Sequence, residues 1–364
     1  MRLYLDHNAH SPLRPQLRAW LHARLDQPSA NAGSIHAEGQ GARAEVDRAR
    51  RVLLGAMGLT TGRMVFTGSA TEANNLALAT LVAQGSVAAA ATEHASVLEV
   101  LAAANRRGAS VMTLPVDGEG LINLDALEAA LKAGLRAFAL MAVNNETGVV
   151  QPLETVAERC LAHGAHLHVD AAQHLLRYRW LHHPGISSVT ISAHKAGGPL
   201  GVGALWWAPD RAPSPLLVGG AQERGARAGT EAGWLVGALG HLAAAPDFAA
   251  WEATRLVRDG FEDRMTAALG AQVNGSALRR APNTSNLWLP GRDAEQILMA
   301  LDLAGIAASA GSACHAGAIE PSPVLLAMGL PEERVAASVR FSFGPEHVGS
   351  AGSDIADRVI DALR

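Results

Sequence analysis

Short apolar runs and helical periodicities alternate along most of the chain. Apolar runs of strand length occur at 63–67, 86–91, 109–114, 136–142, 165–170, 187–192 and 201–207. Segments with helical spacing occur at 37–57, 71–84, 96–107, 124–133 and 153–163. Runs that are apolar throughout are typical of parallel strands buried on both faces. The pattern predicts an α/β protein with a large, mainly parallel sheet covered by helices.

The texture changes after a long helical region at 231–268. Strands are predicted near 284–289 and 337–343, and helices near 293–303 and 346–363. We expect this part to form a smaller α/β domain, with the boundary near Pro246 or Ala250. The expected division is a large domain over 15–248 and a small domain over 1–14 plus 249–364.

Composition narrows the classes of function. The chain has 364 residues, 49% of them hydrophobic, so its length suggests about two domains with a sizeable core. Its net charge is −4, which argues against a nucleic-acid partner. No apolar run approaches the roughly 18 residues that a membrane span needs, and an aspartate comes too early for a signal peptide. We therefore expect a protein without membrane segments.

The two cysteines, Cys160 and Cys314, are too few for a disulfide framework and suit a reducing cytoplasm, where we expect the protein to be located. On its predicted helix, Cys160 is expected to be a small buried hydrophobe. The fifteen histidines do not follow the spacing of a zinc site. We expect no metal.

Polar side chains cluster where the predicted strands end, which is where ligands bind in such sheets. The stretch V-F-T-G-S-A-T-E-A-N-N at 65–75 runs from a strand into a helix. Ser69 and Glu72 have the spacing of a capping box, and free backbone N–H groups with the hydroxyls of Ser69 and Thr71 favour a phosphate there. An ordinary helix cap is the alternative interpretation.

Three more strand ends and one loop carry further candidates. His94 could be structural or could lie over an aromatic ring and move protons. Asn145 lies in V-N-N-E-T-G, which could also be a simple turn. Asp170 ends an apolar strand and needs a partner such as a pyridinium nitrogen, while Lys195, in a glycine-rich turn, could form an imine. An anion site at a helix start, His94, Asp170 and Lys195 occur in this order along the chain. Together they are the groups that are needed to hold pyridoxal phosphate.

Further motifs extend nearly from end to end. They are L-Y-L-D-H-N-A (3–9), N-A-G-S-I-H (31–36), F-T-G-S-A-T-E (66–72), T-E-H (92–94), V-N-N-E-T-G (143–148), H-V-D-A-A-Q (168–173), S-A-H-K (192–195), G-G-A-Q-E-R-G-A-R-A-G-T (219–230), S-A-G-S-A-C-H-A-G (309–317), E-P-S-P-V-L (320–325) and V-R-F-S-F-G (339–344). In these motifs the chain resembles the cysteine desulfurases of the class V aminotransferase group, which are fold-type I pyridoxal-phosphate enzymes. The resemblance implies that the large domain binds this cofactor.

The resemblance also implies roles for single residues. Lys195 would be the Schiff-base lysine, and Asp170 would pair with the pyridine nitrogen. His94 would stack on the ring and exchange protons with the substrate thiol, and Gln173 would bond the phenolic oxygen. The other implied cofactor contacts, chiefly to the phosphate, are Ser69, Ala70, Thr71, Ser192, His194 and, across a homodimer, Thr230. The implied substrate-binding residues are Asn8, Asn145 and Arg340.

By the same resemblance, Cys314 would attack the sulfur of L-cysteine and carry it as a persulfide, with L-alanine as the other product. The small residues around Cys314 suit a mobile, exposed nucleophile. The sulfur would pass to an acceptor, such as a scaffold protein of iron–sulfur cluster biogenesis. The chain ends about twenty residues after Phe343, which is shorter than housekeeping members of the family. The identity of the acceptor therefore stays open.

Three alternatives share parts of this pattern. A selenocysteine lyase would use the same pocket, and another class V aminotransferase or lyase would keep Lys195 and Asp170 without needing Cys314. A non-catalytic accessory subunit that binds the cofactor is the third. The sequence also departs from the family pattern, because His10 and Ser11 replace two common threonines.

Overall fold

The computed structural model describes residues 2–209, 212–311 and 320–364. In chain order its strands are β1 (Leu3–Tyr4), β2 (Arg63–Thr67), β3 (Val87–Ala90), β4 (Val111–Leu114), β5 (Ala137–Met141), β6 (His166–Asp170), β7 (Ile186–Ser192), β8 (Gly203–Trp207), β9 (Gln272–Val273), β10 (Thr284–Trp288), β11 (Ile306–Ala307) and β12 (Ser338–Ser342). Its helices are α1 (Pro15–Leu25), α2 (Ala37–Ala56), α3 (Ala70–Gln84), α4 (Ala95–Asn105), α5 (Leu124–Lys132), α6 (Leu153–Ala162), α7 (Gly233–Ala244), α8 (Phe248–Leu269), α9 (Ala294–Leu303), α10 (Pro323–Ala327), α11 (Glu332–Ala336) and α12 (Gly352–Ala362).

The largest sheet has seven strands in the order β2-β8-β7-β6-β5-β3-β4. Strands β3 to β7 pair in parallel, and only β8 runs antiparallel to its neighbours β2 and β7. Along β3, Ala88 and Ala90 belong to one apolar cluster, whereas Val87 and Ala89 belong to another. Because successive side chains of a strand point to opposite faces, the sheet is buried on both sides. The predicted fold class is confirmed.

A third apolar cluster gathers residues from both ends of the chain. It includes Leu3 and Leu5 together with Phe261, Leu287 and Phe341. Around it lie a three-stranded sheet, β12-β10-β9, and the short parallel pair of β1 and β11. The N-terminal residues thus pack with the C-terminal part of the chain, while the exact division at 15–248 stays a prediction.

Two helical boundaries differ from the sequence-based expectation. The region 231–268 contains two helices, because the chain leaves α7 at Ala245 and restarts at Asp247, whose side chain accepts from Ala250 N at 3.1 Å. The last helix begins at Gly352 instead of 346, because a short 3₁₀ turn and Gly349, with φ of 94°, precede it. None of the helices in the described ranges combines the length and apolar character that a membrane span requires.

Candidate active site

A cavity of about 280 Å³ opens where β5, β6 and β7 end and where α3 and α4 begin. Twelve of the residues predicted for the site line it. They are Asn8, Ser69, Ala70, Thr71, His94, Asn145, Asp170, Gln173, Ser192, His194, Lys195 and Arg340. Residues separated by more than three hundred positions in the sequence therefore share one small cavity.

The start of α3 supplies backbone N–H groups to this cavity. Ser69 is the N-cap residue, and its side chain accepts from Glu72 N at 3.1 Å. The Glu72 carboxylate accepts from Gly68 N at 2.7 Å and pairs with Arg227, so only half of the expected capping box forms. Gly203 of β8 lies against this turn, since a Cβ there would come within 2.9 Å of Ala70 N. The other backbone N–H groups of the first turn of α3 can therefore still bind an anion.

Asp170 is the last residue of β6 and is buried. Its two oxygens accept from Asn74 Nδ2 at 2.7 Å and from the backbone N of Ala172 at 2.9 Å. Within the described part of the chain, no cationic side chain forms an ion pair with it. A buried carboxylate with neutral donors alone fits a positively charged N–H group entering the cavity.

His94 is the N-cap residue of α4. Its Nδ1 accepts from Ser96 N at 3.1 Å, so the neutral ring carries its proton on Nε2. Burial lowers the pKa of His94, against the opposing effect of the Asp170 carboxylate. The neutral ring can therefore both pack against a flat ligand and donate a hydrogen bond from Nε2.

Lys195 lies in a 3₁₀ turn after β7, and its Nζ donates to the carbonyls of Asn8 and Ala9. Burial, followed by the positive charges of Arg340 and Arg177, lowers the pKa of Lys195 to about 7. A lysine amine is a nucleophile only when it is deprotonated. Near pH 7 a substantial fraction of Lys195 is therefore ready to react with an aldehyde.

This pKa predicts how the cofactor-free protein responds to pH. The chain contains only two lysines, Lys195 and the exposed Lys132, so each can be followed separately. Because the amine is protonated below its pKa and neutral above it, reductive methylation of Lys195 should rise through about pH 7. An ordinary lysine would respond near pH ~10.4. Peptide mass spectrometry measures both sites, and a Lys195 midpoint near 10 would contradict the depressed pKa.

Arg340 lies on β12 and is held by two acceptors. Its Nη2 donates to Asp6 Oδ1 at 2.7 Å, and its Nη1 donates to the Asn145 carbonyl at 3.0 Å. Its Nε is buried and has no hydrogen-bond partner among the described residues. Buried donors in native proteins are normally satisfied, and the Arg340 side chain lines the cavity, so this N–H is a candidate donor to a ligand.

Ser192 carries a second unsatisfied group. Its Oγ is buried and, in the described chain, lacks a partner, although the side chain lines the cavity beside His194. The residues present fit pyridoxal phosphate, because the Ser192 hydroxyl and the α3 start offer donors to a phosphate and Asp170 offers an acceptor to a ring N–H. Lys195 offers the amine that an aldehyde needs.

One residue that organises the cavity, Arg177, was not predicted from the sequence. It is fully buried, and its guanidinium packs over the Trp251 ring at 4.5 Å. It donates to the carbonyls of His7 and Lys195 and to Ser11 Oγ, Asn8 Oδ1 and Gln173 Oε1. By accepting from Arg177, Gln173 Oε1 is turned so that its Nε2 donates to the Asn8 carbonyl at 2.9 Å. Arg177 therefore joins the N-terminal segment to the lysine turn.

Three further residues were singled out in the sequence, and the cavity does not account for them. Thr230 is exposed and does not line it. Cys314 lies outside the described residues. Cys160 is fully buried, as expected, and burial raises the pKa of its thiol to about 12. A thiol with that pKa stays protonated at neutral pH and is a poor nucleophile.

A cluster of possible metal ligands occurs among described residues that do not line the cavity. His7, Glu346 and His347 bring ligand atoms within 4.8 Å of one another. However, His347 Nδ1 accepts from Gly344 N at 3.0 Å, and His7 Nε2 lies 2.7 Å from Glu346 Oε1. The cluster is explained by these internal contacts, and the absence of a metal stays a prediction.

Comparison with known proteins identifies the family. The family model for class V aminotransferases matches residues 3–348. A cysteine desulfurase of Trichormus azollae is 37% identical over 93% of this chain and 87% of its own. A NifS-like protein from Rickettsia africae ESF-5 has a TM-score of 0.90 and 26% identity over 100% of this chain and 98% of its own. SspA, solved in complex with cysteine, has a TM-score of 0.83 and 28% identity over 95% and 99%.

The chain therefore belongs to the class V aminotransferase family. Within it, the chain is similar to proteins that bear the name cysteine desulfurase. The resemblance that the sequence motifs indicated is confirmed. The fold of the solved NifS-like neighbours is the mixed α/β fold with a large, mostly parallel sheet that is described above.

Proposed function

We propose that this chain is a pyridoxal-phosphate-dependent cysteine desulfurase, which takes the sulfur of L-cysteine and releases L-alanine. One observation carries the proposal: a single cavity is lined by a lysine with a lowered pKa, by a buried carboxylate, and by Ser192 and Arg340, which each carry an unsatisfied donor. The donors, Ser192 Oγ and Arg340 Nε, suit a phosphate and a substrate carboxylate. The cysteine desulfurase relatives and the cysteine-bound neighbour support the choice of substrate.

The cofactor would be held by the residues that line the cavity. Lys195 would attach to the aldehyde, Asp170 would accept from the ring N–H, and His94 would pack on the ring. The phosphate would take donors from Ser192, His194 and the start of α3, where Ser69, Ala70 and Thr71 lie. Once bound, pyridoxal phosphate withdraws electrons from the attached amino acid and so weakens bonds at Cα and Cβ.

The substrate carboxylate would be bound by Arg340, with Asn145 and Asn8 beside it. Asp6 already fixes one edge of the guanidinium, so the free Nε is held in place before the substrate arrives. Such prior orientation reduces the entropy that binding must remove. Lys195, once displaced from the cofactor, would move the proton at the substrate Cα, and His94, which carries its proton on Nε2, would donate a hydrogen bond to the substrate sulfur.

Sulfur transfer would depend on Cys314. Its thiolate would attack the substrate sulfur, and the Cβ–S bond would break with its electrons moving to the carbon, which gains protons and leaves as L-alanine. On each side of residues 312–319, a described serine is anchored by a hydrogen bond. Ser309 Oγ donates to Asp6 Oδ2 at 2.8 Å, and Ser322 Oγ bonds Glu146 Oε2. Asp6 contacts Arg340 and Glu146 follows Asn145, so these flanks begin beside the proposed carboxylate site.

The remaining parts of the proposal concern partners and location. The Cys314 persulfide would pass its sulfur to an acceptor protein, such as an iron–sulfur scaffold. Thr230, exposed in the single chain, would reach the phosphate of a second copy in a homodimer. A cytoplasmic location suits a reactive thiol that must stay reduced.

Replacing Arg340 by lysine tests the assignment of an amino-acid substrate. Lysine keeps the charge but loses the planar fork and Nε, so we expect the KM for L-cysteine to rise about tenfold to a hundredfold with a smaller change in kcat. Steady-state alanine formation measures both parameters. Arg107→Lys, at an exposed position on the surface, is the matched control. An unchanged KM would show that the substrate carboxylate binds elsewhere.

A further inference from the structure

Two histidines meet beside the lysine turn. His10 belongs to the N-terminal segment, and His194 precedes Lys195. Their rings are nearly parallel, at 21°, with Nδ1 atoms 3.4 Å apart and centroids 5.6 Å apart. The distance between the ring centroids exceeds the distance between the two Nδ1 atoms by about the width of one ring. Both nitrogens must therefore lie between the two centroids, and the rings meet edge to edge. One Nδ1–H therefore points at the other Nδ1.

Hydrogen bonds outside the two rings also hold this pair together. Ser11 N donates to the His194 carbonyl at 3.0 Å, and Ser11 Oγ donates to the Lys195 carbonyl at 2.8 Å. Tyr4 donates its hydroxyl to the His10 carbonyl at 2.8 Å. The bonds to the His10 carbonyl and from the adjacent Ser11 thus fix the position of His10 against His194, and the contact between the rings is part of the fold.

A hydrogen bond between two neutral imidazoles has two possible directions. Burial, followed by the charge of Lys195, lowers the pKa of both histidines, for His194 to about 3. Both rings are therefore neutral at pH 7, and one proton is shared between the two Nδ1 atoms. If His10 donates, the proton of His194 is on Nε2; if His194 donates, its Nε2 carries only a lone pair.

We propose that His10 is the donor in this pair and that it thereby holds His194 in the tautomer whose Nε2–H binds the phosphate of the cofactor. The inference rests on the proposed function, because the anion that selects this direction is the phosphate. His194 lines the cavity beside the unsatisfied Ser192 Oγ, whereas His10 does not line it. A lone pair on His194 Nε2 would repel an anion, and an N–H would bind it. His10 is thus a positioning residue that acts through His194.

The test compares two ligands that differ only in the phosphate. Dissociation constants of pyridoxal phosphate and pyridoxal are measured with cofactor-free wild type, His10→Leu, His10→Asn and the surface control His22→Leu. Leucine removes the donor, so His10→Leu should bind pyridoxal phosphate about tenfold more weakly while its affinity for pyridoxal stays within about twofold. Asparagine keeps an N–H donor and should stay close to wild type.

Equal losses for both ligands, or no loss for either, would overturn the role of His10. A wild-type protein that binds no pyridoxal phosphate would instead overturn the proposed function and this inference with it. If His10→Leu does not fold, the proposal is tested on the wild-type protein, labelled with ¹⁵N in its histidines and loaded with pyridoxal phosphate. Its ¹⁵N spectra show whether Nε2 of His194 carries a proton. A protonated Nε2 in His194 supports the proposal, and an unprotonated Nε2 overturns it.

Discussion

Lys195→Ala should lower kcat for alanine formation from L-cysteine by at least about a thousandfold. The amine of Lys195 has two tasks, attachment to the cofactor and movement of the Cα proton, and general acid–base catalysis alone contributes about 10²- to 10⁴-fold. Its pKa of about 7 makes it the most readily deprotonated amine in the site. No neighbouring group replaces it, because the chain has only one other lysine, Lys132.

Turnover and cofactor content together test this prediction. The variant should still take up pyridoxal phosphate weakly through the phosphate and Asp170 contacts, and borohydride should fix no cofactor to the protein. Lys132→Arg is the control, because Lys132 is exposed on α5 and its loss should leave both measurements unchanged. Wild-type turnover in the Lys195→Ala protein would show that Lys195 takes no part in the reaction.

Cys314→Ser should abolish the transfer of sulfur to the protein while leaving cofactor binding and the binding of L-cysteine intact. A serine hydroxyl is not ionised at neutral pH and does not attack a sulfur atom, so the persulfide cannot form. We expect less than about one per cent of wild-type persulfide, since the thiolate is the nucleophile in such exchanges.

Cys160→Ala is the matched control for this second prediction. Cys160 is the other cysteine of the chain, and with a pKa of about 12 and no exposed surface it should carry no sulfur. Its removal should therefore leave persulfide formation at the wild-type level. A persulfide that persists in Cys314→Ser and disappears in Cys160→Ala would reverse the assignment.

The strands and the residues at their carboxyl ends could be predicted from the sequence for a physical reason. Strands such as β5 and β6 are buried on both faces, so their apolar runs contrast with the polar residues that follow them. Asp170 could be recognised because an aspartate directly after such a run has few acceptable partners. His94 could be placed at a helix start for the same reason, because it lies between the apolar run of β3 and the helical pattern of α4.

Other parts of the site depend on contacts that no local pattern records. Arg177 lies in H-L-L-R, where nothing marks it as buried, and its five acceptors come from the N-terminal segment and two separate turns. Asp6 lies within the motif at 3–9, but its bond to Arg340 joins residues 334 positions apart. Tertiary packing decides both of these cases.

A single turnover of the wild-type protein with L-cysteine, in the absence of a thiol reductant, tests most directly whether Cys314 takes the sulfur. We expect equal amounts of L-alanine and of protein that is heavier by one sulfur atom, with the added sulfur on the peptide that contains Cys314. Alanine with all of the sulfur released as free sulfide, or no alanine at all, would contradict this expectation.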